Sequence, residues 1–283
     1  MEQTQHSQEA RQGVTAIAAA VQMGSGRDVA ANLALAQAAL REAHGQGAKL
    51  AVLPENFALM ADSQELRLRH AETDEGGPMQ EAISGACRTL GMWVVAGTIP
   101  MRSRDPARLR AACLVFNDHG ERVARYDKIH LFDVDLGPGE RYAESDGFEA
   151  GPAAVTVPTP WGRLGLAICY DLRFPELFRA LLDGGAEMVA LPAAFTVPTG
   201  QAHWEVLVRA RAIENSSYII AAAQSGRHDN GRTTYGHSLI VDPWGAILAE
   251  RPEGPGIAMA RIDQATLAAV RRRLPSVMHR RLL

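Results

Sequence analysis

Hydrophobic and polar positions along this chain switch repeatedly between two periods. Val14–Met23 is almost wholly apolar, the pattern of a strand buried on both faces. Directly after it, Asp28 opens a segment in which Val29, Leu33, Ala36, Leu40 and Ala43 share one helical stripe, ended by Gly45 and Gly47. Leu50–Leu53 is again apolar and delivers Pro54-Glu55-Asn56 at its carboxyl end. The spacing of Ile83, Ala86, Cys87 and Leu90 predicts a helix over Met79–Leu90, and Trp93–Ile99 reads as one returning strand. Ala111–Phe116 and Glu121–Tyr126 form an expected hairpin across Asn117-Asp118-His119-Gly120, a run of turn formers.

The alternation continues beyond a long loop region, residues 127–152; such loops inside compact domains are often functional. Strands are expected at Ala154–Val157, Leu164–Ile168, Met188–Leu191, Tyr218–Ala223, His237–Val241, Ala246–Ala249 and Ile257–Ile262. Pro175 suits the first turn of a helix burying Leu177, Phe178, Leu181 and Leu182. A largely buried helix is expected over Ala202–Asn215, and a last one, capped by Asp263, carries Leu267, Val270 and Leu274. No repeat or Pro/Ser-rich linker divides the chain. The pattern predicts one α/β domain over 13–275, with mixed sheets between helix layers. A loose polar segment, 1–12, precedes it, and a tail, 276–283, follows.

Composition then excludes several classes. Among 283 residues 47% are hydrophobic, ample for one large core, and the formal net charge of -3 provides no general field for nucleic acid or an anionic membrane. The exception is the run Arg271, Arg272, Arg273, Arg280, Arg281, read as a charged helix end and tail that pairs locally or with another subunit. Three cysteines, few and odd in number, suggest no disulfide framework and fit a reducing, cytoplasmic setting. Val14–Met23 is not read as a signal sequence, because its lead-in carries Glu9 as well as Arg11 and a helix pattern follows directly. No apolar run approaches membrane-spanning length.

Candidate chemistry centres on Cys169. It follows the strand Leu164–Ile168 and precedes Tyr170-Asp171-Leu172-Arg173-Phe174-Pro175, a short turn into a helix. Such an elbow exposes a nucleophile on a rigid scaffold, and nearby helix amides and a lysine would favour its thiolate. Cys87 and Cys113 lie on apolar faces and read as structural. A thiol attacking an amide needs a base and a stabiliser for the oxyanion. Glu55, at the carboxyl end of a strand, can be that base or a solvated loop acid; Lys128 can be the stabiliser or a surface charge. Spacing alone does not assemble the three. A metal-dependent hydrolase using His130, Asp133 and Asp135, or His203 with Glu205, remains a rival, as does a non-catalytic binding protein; on the expected helix His203 and Glu205 would diverge.

Resemblance decides further. Leu53-Pro54-Glu55-Asn56, Tyr126-Asp127-Lys128-Ile129-His130-Leu131-Phe132-Asp133 and Ile168-Cys169-Tyr170-Asp171-Leu172-Arg173-Phe174-Pro175-Glu176 resemble, in order, the three catalytic motifs of the nitrilase superfamily. The likeness runs from about Val14 to Arg281. It implies a four-layer αββα sandwich, with Glu55 as general base, Lys128 as oxyanion stabiliser and Cys169 as nucleophile. A second active-site glutamate is matched best by Glu144, with Glu140 the alternative. Thr199-Gly200-Gln201-Ala202-His203-Trp204-Glu205, Ala221-Ala222-Ala223-Gln224-Ser225-Gly226-Arg227-His228 and Tyr235-Gly236-His237-Ser238 resemble the deaminated glutathione amidase branch more than the omega-amidases. Gln201 and Ser225 depart from that branch, where proline and cysteine are expected.

The resemblance implies hydrolysis of a small carboxamide through a thioester, with release of ammonia, no cofactor and no metal. The backbone N–H of Tyr170 would share the oxyanion with Lys128. Arg173, four residues past the nucleophile, is the candidate anchor for a substrate carboxylate, unless it pairs with Asp171 or Glu176. Phe195 and Thr196 are expected to line the opposite wall. Such proteins usually form dimers, and the tail from Ser276 onward would then reach the partner.

Overall fold

The computed structural model describes residues 13–137 and 141–282; the expected loose segment 1–12 and Glu140 lie outside them. The first strand, β1 (Thr15–Gln22), shows why its sequence is almost wholly apolar. Ala18 and Ala20 enter the core between two sheets, while Ala19 and Val21 enter the core beneath a helix layer. Helix α1 (Val29–Gly45) starts at Asp28, whose carboxylate accepts the Ala31 N–H at 3.1 Å and so satisfies one donor of the open first turn. β2 (Ala48–Val52) pairs parallel with β1, and α2 (Gln64–Arg69), which the apolar pattern did not announce, precedes α3 (Pro78–Leu90).

The single strand expected over 93–99 divides into β3 (Trp93–Val95) and β4 (Ile99–Arg102), which pair with successive stretches of β5 (Leu109–Phe116), β3 with Val115 and Phe116 and β4 with Leu109–Ala112. Gly97 causes the break. Its φ is 42°, and a Cβ there would overlap the Pro54 carbonyl. The chain bends in order to pack against the segment that carries Glu55. β6 (Arg122–Asp127) completes the expected hairpin with β5.

The long loop contains a small hairpin, β7 (Asp133–Asp135) and β8 (Arg141–Ala143), followed by one 3₁₀ turn at Glu144–Asp146. The second sheet is built from β9 (Thr156–Thr159) and β10 (Gly162–Leu166), then, after α4 (Pro175–Asp183), β11 (Met188–Ala193). Helix α5 (Val197–Asn215) begins five residues before the expected start, since Pro198 in its first turn favours helix. Its burial is one-sided: Trp204, Val208 and Ala212 are inside, Val206 and Ile213 exposed. β12 (Tyr218–Ala223) follows, then a β13 (Ser225–Arg227) and β14 (Thr233–Tyr235) hairpin, β15 (Ser238–Val241), β16 (Ile247–Arg251), β17 (Gly256–Asp263) and α6 (Gln264–Arg273).

The first sheet has the order β17-β1-β2-β3-β5-β4, with β6 also on β5; the second runs β16-β15-β12-β11-β10-β9. Each has a parallel centre, β1-β2-β3 and β10-β11-β12, and antiparallel flanks. Leu50, Val52, Leu166 and Ile220 are among the residues buried with the sheets face to face, α1 and α3 cover the first sheet, and α4 and α5 the second. This is the expected αββα sandwich. The arginine run pairs within the chain: Arg271 donates to the Ser216 and Ala186 carbonyls, Arg273 lies over Trp244, and Arg280 pairs with Asp183. Among the described residues no helix is long and apolar enough to cross a membrane.

Candidate active site

Parallel strands direct the ends of several loops toward one place, the usual location of α/β sites. Residues just beyond β2, β6, β10 and β11 (Glu55, Lys128, Cys169 and Ala194) line a cavity of about 260 Å³. The Lys128 ammonium lies 2.8 Å from Glu55 Oε1 and 2.8 Å from Glu144 Oε2. Glu144 also accepts the Phe132 N–H at 2.7 Å, so this glutamate clamps the lysine to its own loop. Cys169 Sγ accepts the Ala194 N–H at 3.5 Å. Cys169 itself has φ 48°, a left-handed conformation that a non-glycine residue holds only when its surroundings impose it.

Those surroundings are identifiable. Asp171, fully buried, accepts the Ile168 N–H at 2.8 Å, the Tyr126 hydroxyl at 2.7 Å and the His130 N–H at 3.1 Å, while His130 Nδ1 lies 2.7 Å away. One carboxylate therefore ties the lysine strand to the cysteine elbow, and His130 stacks on Phe174 at 3.7 Å. On the Glu55 side, Thr98 Oγ1 accepts the Asn56 N–H at 2.8 Å, and Gln224 Nε2 donates to the Glu55 carbonyl at 3.0 Å. Gln224 is in turn held by Ser25, whose carbonyl also binds buried His228. The Gln224–His228 segment singled out in the sequence thus acts as scaffold behind Glu55. Near Lys128, Gly151 donates to the Lys128 carbonyl at 2.8 Å, and a Cβ on Gly151 would overlap the Asp127 carbonyl.

The electrostatics differ from the sequence expectation in one respect. Burial, and then the facing Glu55 carboxylate, push the Cys169 thiol well above the ordinary thiol range; Lys128 and the Ala194 N–H oppose this without prevailing. Burial first, and the Glu55 charge second, therefore favour the thiol over the expected thiolate. For Lys128, burial favours the neutral amine, but Glu144 and Glu55 outweigh it and hold the ammonium firmly charged.

The cavity walls carry the other candidates. Tyr170, Arg173, Phe195 and Thr196 all line it. Arg173 lies over the Tyr170 and Phe195 rings, at 5.8 and 5.4 Å, and its Nη1 donates to His203 Nδ1 at 3.3 Å. It pairs with neither Asp171 nor Glu176. Thr196 is buried, its hydroxyl 2.8 Å from that of Thr199. Of the rival metal ligands, Asp133 accepts the Ser145 N–H, and Glu205 pairs with Arg209 on the exposed face of α5. Neither Gln201 nor Ser225, the two departures, lines the cavity. Sequence reasoning missed Arg67, Phe132, Tyr142 and Arg232 in the lining. Arg67 sits in Glu65-Leu66-Arg67-Leu68-Arg69, where charged residues alternate with leucines, so the pattern held no usable signal for it.

Comparison with known proteins agrees with this architecture. Residues 17–272 match the model of the carbon-nitrogen hydrolase family. Over 267 residues the chain is 43% identical to a protein of Yersinia enterocolitica named deaminated glutathione amidase, covering 94% of this chain and 93% of that one. The Caenorhabditis elegans NitFhit structure superimposes with a TM-score of 0.88 at 36% identity, over 95% of this chain and 66% of that longer one. Saccharomyces cerevisiae Nit3, described as a member of branch 10 of the nitrilase superfamily, gives 0.83 at 31% identity, over 92% of this chain and 94% of that one.

Proposed function

The chain belongs to the carbon-nitrogen hydrolase family and is an amidase, and from that premise we propose that its substrate is deaminated glutathione. That molecule is a peptide with an α-keto acid at one end, joined through a secondary amide to cysteinylglycine. The observation that carries the reading is the buried Glu55–Lys128–Glu144 group beside the Cys169 thiol, in a cavity whose wall presents Arg173 without a carboxylate partner. Arg173 suits the keto-acid carboxylate, and the Tyr170 and Phe195 rings orient its guanidinium.

The chemistry follows from the resting state. Glu55 takes the thiol proton as Cys169 Sγ bonds to the amide carbon, since burial and the Glu55 charge disfavour prior ionisation of the thiol. Lys128 and the Tyr170 backbone N–H stabilise the oxyanion, with Glu144 positioning the ammonium. Collapse breaks the C–N bond, and Glu55 returns the proton to the departing nitrogen. Water, deprotonated by Glu55, then attacks the thioester, and its C–S bond breaks to give the acid and the free thiol. From a primary carboxamide the leaving group is ammonia; from deaminated glutathione it is the amine of cysteinylglycine.

Three further parts of this reading concern context. The cytoplasm, a reducing compartment, suits a free Cys169 thiol. Residues 13–275 act as one catalytic unit. Two copies pair as a homodimer, which the exposed Val206, Ile213 and Trp244 side chains support. The test is a product assay on deaminated glutathione, α-ketoglutaramate and a simple nitrile. Release of cysteinylglycine from the first is the expected result, and turnover of the nitrile alone would overturn the assignment.

A further inference from the structure

Three arginines, Arg67, Arg173 and Arg232, line the cavity, and the mechanism above uses one. The other two rest on different rings. Arg67 lies over the Phe148 ring at 5.6 Å and Arg232 over Tyr142 at 5.2 Å, whereas Arg173 lies over Tyr170 and Phe195. Among the described residues the Arg67 guanidinium has no hydrogen bond or ion pair. Arg232 has one long bond, from Nη2 to the Ala194 carbonyl at 3.4 Å, and its buried Nε finds no acceptor.

Nearby acids are engaged elsewhere. Asp62 pairs with Arg27 at 2.6 Å, and Glu144 holds Lys128 and the Phe132 N–H. Asp146, exposed, is the remaining carboxylate of the described lining. Arg67 feels the result: burial first, and then the charge of Arg232, disfavour its protonated form, against a pull from Glu144 and Asp62. Two guanidiniums, each over a ring and each short of acceptors, suit one planar anion.

We infer that Arg67 and Arg232 form a second carboxylate subsite, which receives the C-terminal carboxylate of the leaving peptide while Arg173 holds the keto-acid end. This rests on the amidase reading and extends it. The enzyme then favours an amide whose leaving amine carries an anion at its far end, and a primary amide leaves the pair of cations uncompensated.

The experiment compares kcat/KM for deaminated glutathione with that for an analogue whose glycine carboxylate is converted to a carboxamide. Wild-type protein prefers the free acid by about 10- to 100-fold, the range for a hydrogen bond between charged groups, and chiefly through KM. In R67Q and R232Q that preference collapses toward unity, and R67K and R232K retain part of it. Because each ratio is taken on one protein, a partly unfolded variant does not mimic the result. Equal turnover of both substrates by wild type, or an undiminished preference in both glutamine variants, removes the subsite and leaves the amidase reading intact. Turnover of neither substrate by wild type removes the substrate reading and the subsite with it.

Discussion

The two ends of the cavity handle charge in opposite ways. At the catalytic end every charged group is matched: Lys128 bridges Glu55 and Glu144 at 2.8 Å each, all are substantially buried, and the thiol beside them stays neutral. Along the walls Arg67, Arg173 and Arg232 rest against aromatic rings and lack carboxylate partners among the described residues. Groups that must be in place before reaction are fixed by one another. The groups proposed to recognise an anion are held by rings, which orient a guanidinium without neutralising it. Pairing marks the proposed chemistry, and absence of pairing the proposed binding.

Variants that cut into the catalytic end have the largest effects. Cys169→Ala lowers kcat by roughly 10⁵-fold or more, the scale on which loss of a covalent nucleophile is felt, while binding of deaminated glutathione, measured calorimetrically, persists. Residual turnover within tenfold of wild type would disprove the nucleophile. Lys128→Ala lowers kcat by about 10²- to 10³-fold through loss of an oxyanion donor. It also leaves Glu55 and Glu144 facing each other in a buried place without a cation, and breaking such an arrangement costs about 3–5 kcal/mol. A loss of stability below about 1 kcal/mol in a denaturant titration would mean that the cluster is not electrostatically matched.

The wall responds differently. Arg173→Ala raises KM for deaminated glutathione by about 10- to 100-fold with little change in melting temperature, because no buried partner is orphaned. Arg173→Lys keeps the charge but loses the planar fork and ring contact, and recovers only part of the affinity. Should R173A instead unfold the protein as readily as K128A, the contrast between the two ends would fail.

This contrast also explains what the sequence could convey. Strands with both faces buried, the Asp28 and Asp263 caps and the Pro175-led helix are local properties, and they were legible. The three motifs pointed to Glu55, Lys128 and Cys169, which the fold brings together, because their neighbours, Asp171 and His130 among them, are the residues that lock the elbow to the lysine strand. Gly97 was not legible as a strand break, since its reason is the Pro54 carbonyl more than forty residues away. Arg67 and Arg232 carried no sign of their role, because an arginine awaiting an anion and one in water sit in the same kind of polar sequence. The state of the Cys169 thiol was misread for a related cause: adjacent residues suggest the amides and lysine, but only the folded structure shows that Glu55 and burial outweigh them.

That last point admits the most delicate test. Burial is the leading cause of the raised thiol and persists in any conservative variant, so changing Glu55 moves the titration of Cys169 by less than the whole shift. Glu55→Gln keeps the size of the side chain and an oxygen that can accept from Lys128, but removes a negative charge facing the sulfur. A nearby anion opposes ionisation of the thiol, and its removal leaves Lys128 freer to favour the thiolate. The midpoint of Cys169 alkylation by iodoacetamide, followed against pH, therefore falls below that of wild type. At any fixed pH between the two midpoints the variant alkylates faster, even as amide turnover drops by about 10²- to 10⁴-fold for want of its base. Cys87 does not interfere, because burial pushes it up to about 12, and Cys113 is likewise raised by burial; Cys169→Ala supplies the blank. An unchanged or higher midpoint in E55Q would show that the Glu55 charge does not press on the sulfur, and the catalytic end would then owe its neutral thiol to burial alone.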